Sequence, residues 1–215
     1  MELEDYYVGD GVQIVSPARE EKRFFKNVYH VMFRGAMRYN IFFRKEDYYR
    51  FLFYLNKSLT RYESNIYAFV LMTNHVHMLI KSDFINEVTI SLIRSYCSYA
   101  YYKHDIGKNF IETPAKIVHK PELEWQLDAL LYIINNPVVA NLCKKPGGYP
   151  YSSYLLYTKC RTPLRQFIDI DSSLLFNNYH TLDRFNKVRL DKLRYQKDNS
   201  IFKNAKYLNE WSTDV

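Results

Sequence analysis

The chain has 215 residues, enough to bury one sizeable core plus an extension, or two small cores. Its 47% hydrophobic and 25% charged residues fit a globular protein, and no apolar run approaches the roughly 18 residues a membrane span requires. Thirty Lys and Arg against 23 Asp and Glu leave a charge of +7, which favours a polyanionic partner, while three widely spaced cysteines without a C-x-x-C pair exclude a disulfide framework and a zinc ribbon.

The acidic opening "MELEDYYVGD" lacks the basic flank of a secretory leader, and residues 1–22 read as a loosely held arm. "KNVYHVMFRG" is rich in β-branched and aromatic residues and predicts a strand near 27–34, stopped by Gly35. "RKEDYYRFLFYLNKSLTRYE" carries apolar residues at 48, 51, 52, 55, 59 and 62, the stripe of an amphipathic helix. "NIYAFVLM" predicts a second strand, and Thr73-Asn74 a tight hairpin into a third, "HVHMLIK". Alternation on this strand sets His75, His77 and Leu79 on one face and Val76, Met78 and Ile80 on the other, the set expected to face the core.

"INEVTISLIRSYCSYAYYKHD" predicts a second helix, and "GKNFIETPAKIVHKP" a connecting loop. "ELEWQLDALLYIIN" predicts a third helix with Glu122 and Glu124 in its first turn, and Pro137 marks its end at Asn136. "PGGYPYSSY" is a turn-rich joint, and "LDRFNKVRLDKLRYQK" a basic amphipathic stretch. There is no internal repeat.

Two imidazoles one residue apart on a strand face are separated by about 6.6–6.8 Å of backbone, within reach of one divalent ion, although an arbitrary H-x-H is more often structural. Its surroundings raise the weight of this pair. "YAFVLMTNHVHMLIKS" resembles the signature strands of the single-tyrosine HUH transposases, named for a His-hydrophobic-His motif, and especially their REP-associated branch. "YHVMFRGAMRYNIFF" is similar to the family's opening strand and Arg-Gly turn, and "LLYIINNPVVANLCKKPGGYPYSSY" to its tyrosine helix and following segment.

The resemblance implies an α+β, ferredoxin-like nuclease domain over 23–154, with a central, mainly antiparallel sheet flanked by helices and a basic helical extension over 155–215 packed on it. It implies Tyr132 as nucleophile, four residues before the Asn of Asn136-Pro137-Val138, and His75, His77 and Asn136 as ligands of Mg²⁺ or Mn²⁺. Tyr132 and Asn136 are spaced to share a helix face, while an Asn before Pro is equally a good N-cap. Two neutral imidazoles and an amide would hold such an ion loosely.

The function implied is cleavage and rejoining of single-stranded or hairpin DNA through a 5′-phosphotyrosine, in the bacterial cytoplasm and on the nucleoid, by a monomer, with a homodimer open. Arg34, Arg38, Tyr39 and Arg44 are candidate DNA contacts, with a solvated turn as the alternative, and the tail from Arg184 to Lys197 a candidate electrostatic one. Tyr96, Tyr99, Tyr101 and Tyr102 suit core packing or base stacking. The family's aromatic-Gln-x-Arg-Phe stretch is reduced here to Phe110, without the Gln and Arg. A domesticated DNA-hairpin-binding protein that no longer cuts is the alternative, and a ferredoxin-like RNA-binding domain a third reading, although no RNP-type strand occurs.

Overall fold

The computed structural model describes residues 6–8, 12–14, 26–107, 109–158 and 161–175. Within the predicted N-terminal arm, β1 (Tyr6–Val8) and β2 (Val12–Ile14) form a small antiparallel hairpin. The main unit then runs β3 (Val28–Arg34), α1 (Lys45–Arg61), β4 (Asn65–Leu71), β5 (His75–Lys81), α2 (Ile85–His104), β6 (Lys116–His119), α3 (Leu123–Val139) and the short α4 (Tyr154–Thr158). The strands of this unit order as β4-β5-β3-β6, with every neighbouring pair antiparallel. From β3 to β6 this is a β-α-β-β-α-β ferredoxin-like arrangement, and the α+β reading holds.

Both faces of the sheet are covered. Val76, Met78 and Ile80 of β5 join Phe51, Leu52 and Leu55 of α1 and Val88, Leu92 and Tyr96 of α2 in one core. On the opposite face Leu79, Ala68 and Val70 pack against Leu130, Ile133 and Ile134 of α3 in a second. The histidine face of β5 therefore lies beneath a helix rather than in solvent.

Two expectations are corrected. "KIVH", taken as part of a loop, is the edge strand β6: its register of Tyr29 with His119 and Met32 with Lys116 fixes it to β3. It is four residues long, half-exposed and flanked by lysines, as suits a protected edge, and so it carries almost no periodic signal. The third helix also continues through Pro137 to Val139, making Asn136 an interior residue and not an N-cap. Proline removes the N–H that would bond the Ile133 carbonyl, but Ala140 N–H still donates to Asn136 O and Leu142 N–H to Pro137 O, both at 2.9 Å.

The β3–α1 connection is pinned over the hairpin tip. Gly35 N–H donates to Asn74 O, and Ile41 and Phe42 N–H both donate to Thr73 O. A Cβ on Gly35 would stand 1.9 Å from the Tyr39 carbonyl oxygen, so only glycine fits this turn. Met37 and Arg38 adopt φ of 52° and 63°, which turns the chain sharply outward beside the tip. On the free side of β4, Leu71 N–H bonds Tyr151 O and Ser153 N–H bonds Phe69 O, so the segment after α3 shields that edge. Leu155, Leu156, Leu164 and Ile168 complete the first core and Leu174 the second. The basic stretch 182–197, including the tail from Arg184 to Lys197, lies outside the described residues.

Candidate active site

The two predicted histidines sit at the start of β5, immediately after the hairpin tip. α3 crosses their face of the sheet, and the i, i+4 spacing along it brings Tyr132 and Asn136 down on the same side. His75 Nε2 is 3.1 Å from Asn136 Oδ1, and the Tyr132 ring lies edge-on to His77 with centroids 5.4 Å apart. The His75 and His77 rings are themselves 5.2 Å apart. Four residues chosen from sequence, on two elements about 60 positions apart, thus occupy one cluster.

A fifth member was missed. His30 of β3 pairs with Leu79 across the sheet, and Met32 pairs with His77. His30 and His77 are therefore diagonal neighbours on one face, within reach of long side chains. Their Nε2 and Nδ1 atoms are 3.1 Å apart, and the His30 ring lies edge-on to Tyr132 at 5.9 Å. Strand alternation alone would place His30 on one of two faces, but only the β3–β5 register identifies its neighbours.

Burial sets the charge state of the cluster. It lowers His30 to about 3, with Lys120 and Lys116 adding repulsion. It holds His77 well below the ordinary histidine value, reinforced by His30 and His75. His75 is also lowered by burial, against a raising contribution from its Asn136 contact. All three shifts favour the neutral ring, the form in which imidazole nitrogens act as ligands. Burial likewise raises the Tyr132 phenol, while a hydrogen bond with Asn136 opposes the rise.

The donor chemistry around His75 fits a cation. Its Nδ1 is 2.8 Å from Asn74 Oδ1 and its Nε2 3.1 Å from Asn136 Oδ1. A neutral imidazole has one hydrogen for these two oxygens, so the second contact requires either an amide turned over to present its NH2 or a positive ion between the two lone pairs. The 3.1 Å separation also approaches the roughly 3 Å between adjacent ligands of an octahedral Mg²⁺. Among the described residues no group of three or more His, Cys, Asp or Glu is arranged to hold a metal.

The other predicted contacts lie around the same end of the sheet. Arg34 pairs with His75 in register, and its Nε donates to Glu112 Oε2 at 2.7 Å. Arg38 and Tyr39 project from the turn after β3, and Arg44 is the exposed N-cap of α1. The tyrosines of α2 divide: the Tyr96 hydroxyl donates to Ile41 O and that of Tyr99 to Asp47, both inside the fold, whereas Tyr102 is exposed. Phe110 is buried in the first core, and its carbonyl accepts from Ala36 N–H.

An antiparallel ferredoxin-like sheet carries paired histidines under a tyrosine-bearing helix, the arrangement that the resemblance to single-tyrosine HUH transposases implies. Residues 23–114 match the family model described as IS200-like transposase, and the family resemblance drawn from the sequence is borne out. The match contains His75 and His77 and ends before α3. A solved structure of a REP-associated tyrosine transposase bound to a REP hairpin has a similar fold: TM-score 0.53 and 14% identity, covering 80% of this chain and 93% of that one. A search of curated proteins found no match. Among the described residues no helix is long and apolar enough to cross a membrane.

Proposed function

We propose that this protein cleaves and rejoins single-stranded DNA carried on a hairpin, with Tyr132 as nucleophile. The observation that carries the reading is the convergence of Tyr132 and Asn136 with His75 and His77: a phenol edge-on to one imidazole and an amide oxygen 3.1 Å from the other. The solved hairpin complex of the similar fold supports a folded DNA strand as substrate.

The Tyr132 oxygen forms a bond to phosphorus and the bond to the 3′-oxygen breaks. The phenol proton ends on that leaving oxygen, giving a 5′-phosphotyrosine and a free 3′-hydroxyl. His75, His77 and Asn136 would hold Mg²⁺ or Mn²⁺, which supplies Lewis-acid stabilisation of charge on the phosphodiester. Asn136 also opposes the rise that burial imposes on the Tyr132 phenol, which favours its deprotonation relative to burial alone. Reversal on a second 3′-hydroxyl rejoins strands with no external energy source. Since Tyr132 meets the histidines of its own chain, a monomer suffices, and the place of action is the bacterial cytoplasm, on the nucleoid.

Several cations border this centre. Lys116 and, by the bond from Lys120 N–H to Val28 O, Lys120 lie on the same sheet face as His30 and Met32. Both act electrostatically on His30, whose ring touches Tyr132, so they are placed to attract the phosphates of an incoming strand. Arg34, Arg38 and Arg44, with the exposed ring of Tyr39, would take the strand around the hairpin tip.

The test is a covalent-complex assay with end-labelled hairpin DNA and Mn²⁺. A labelled adduct that resists denaturation and disappears in Tyr132→Phe supports the enzyme. Tight hairpin binding without an adduct, across hairpins with different flanking strands, would instead identify a domesticated binder.

A further inference from the structure

We propose that Glu112 is a positioning residue: it ties the guanidinium of Arg34 to the flank of the donor cluster, where Arg34 takes the phosphate that Tyr132 attacks. This inference rests on the cleavage reading given above and assigns a role to a residue outside the donor set.

Backbone register puts the pair beside the site. Arg34 is the last residue of β3 and lies directly opposite His75 of β5, so both side chains leave the same face of the sheet. On the other flank of β3 the chain bridges Gly35 to Ile111, with Ala36 N–H donating to Phe110 O at 2.7 Å and Glu112 N–H to Arg34 O at 2.8 Å. That antiparallel bridge makes Glu112 the next cross-strand neighbour of Arg34, on the face that carries His75 and His77. Glu112, Arg34 and His75 therefore form one row across the sheet, and Asn136 Oδ1 meets the His75 end of it at 3.1 Å.

The Glu112 carboxylate accepts from Arg34 Nε at 2.7 Å, so Glu112 engages Arg34 through its main chain and its side chain together. With side chains 36% and 42% exposed, the ion pair is screened by water and adds little to stability. What it adds is direction. A guanidinium is a rigid planar fork, and fixing its Nε corner fixes the plane in which the other nitrogens lie. The tie draws the fork toward Glu112 and away from His75, so its charge does not crowd the ion that the histidines would hold. A phosphate at the cluster is then met by the ion on one side and by the guanidinium on the other, the charge-assisted contact to which arginine is suited.

The test measures hairpin binding by full-length Tyr132→Phe protein, in which the strand stays intact, with a neutral methylphosphonate placed in turn at each linkage flanking the hairpin. Neutralising one linkage is expected to weaken binding about tenfold, as loss of a charge-assisted contact does, and adding Arg34→Ala should abolish that dependence. Glu112→Ala should also flatten it, whereas Glu112→Gln, whose amide oxygen still accepts from Nε, should keep it. The absence of any sensitive linkage, or a sensitivity that survives Arg34→Ala or Glu112→Ala, overturns the proposal. Tighter binding in Glu112→Ala with the sensitivity intact would mark an acid that only repels DNA. With Tyr132 present and hairpin saturating, Glu112→Ala is expected to slow adduct formation by roughly 10- to 100-fold, and the Arg34→Ala, Glu112→Ala double variant should be no slower than Arg34→Ala alone. Independent, additive losses also overturn it. If the unaltered protein forms no adduct, the cleavage reading falls by itself, while the methylphosphonate scan still decides whether Glu112 directs Arg34 to a phosphate.

Discussion

His75 Nε2 and Asn136 Oδ1 lie 3.1 Å apart although 61 residues separate them, and Asn74 Oδ1 engages the other nitrogen of the same ring. A strand and a helix are thereby joined through a ring that has one hydrogen for two oxygens, an arrangement that a shared cation would satisfy.

Asn136 should accordingly respond to charge more than to size. Asn136→Ala is expected to weaken Mn²⁺ binding by roughly 10- to 100-fold, as loss of a donor does, while Asn136→Asp should tighten it by adding a formal negative charge. Calorimetric titration of the three proteins measures this. Equal affinity in all three would remove Asn136 from the donor set.

Lys116 and Lys120 should act on the substrate, since both bear electrostatically on His30, whose ring meets Tyr132. Each Lys→Ala change is expected to reduce the slope of log affinity against log salt by about 0.7 for a single strand, with secondary structure by circular dichroism unchanged. A slope unaffected in the double variant would place the strand elsewhere.

Asp47 ties the start of α1 to the end of α2. Its carboxylate accepts from Phe43 and Arg44 N–H at 2.8 Å and from Tyr99 and His104 at 2.9 Å. Burial alone would raise this carboxyl, but the hydrogen bonds from His104, the two backbone amides and Tyr99 outweigh it and hold it below the ordinary value. A carboxyl lowered in the folded state contributes stability above its unfolded value of about 3.9, lost as pH falls through the folded value. Asp47→Asn is thus expected to cost about 2–4 kcal/mol at pH 7, with the gap narrowing below about pH 4. Urea denaturation at pH 7 and pH 3 checks both parts, and a gap independent of pH would contradict the assignment.

Local pattern carried much of the fold. The amphipathic stripe of α1, the alternation in β5 and the two-residue tip at Thr73-Asn74 each depend on neighbours a few positions away, and each lies where periodicity places it. The order of segments, with His75 and His77 following the tip and Tyr132 four residues before Asn136, was readable for the same reason.

Long-range pairing decided the remainder. β6 is too short and too exposed for its own sequence to mark it, and it exists because β3 offers an open edge. The helix passes through Pro137 because packing of Pro137 and its neighbours in the fold outweighs a local preference for termination. His30 belongs to the cluster only through a register between strands more than 40 residues apart, with no turn joining them. Sequence by itself singled out His75, His77, Tyr132 and Asn136; tertiary structure decided that they meet, with His30 beside them, because register and helix placement are set by burial of two opposite sheet faces and not by any local spacing.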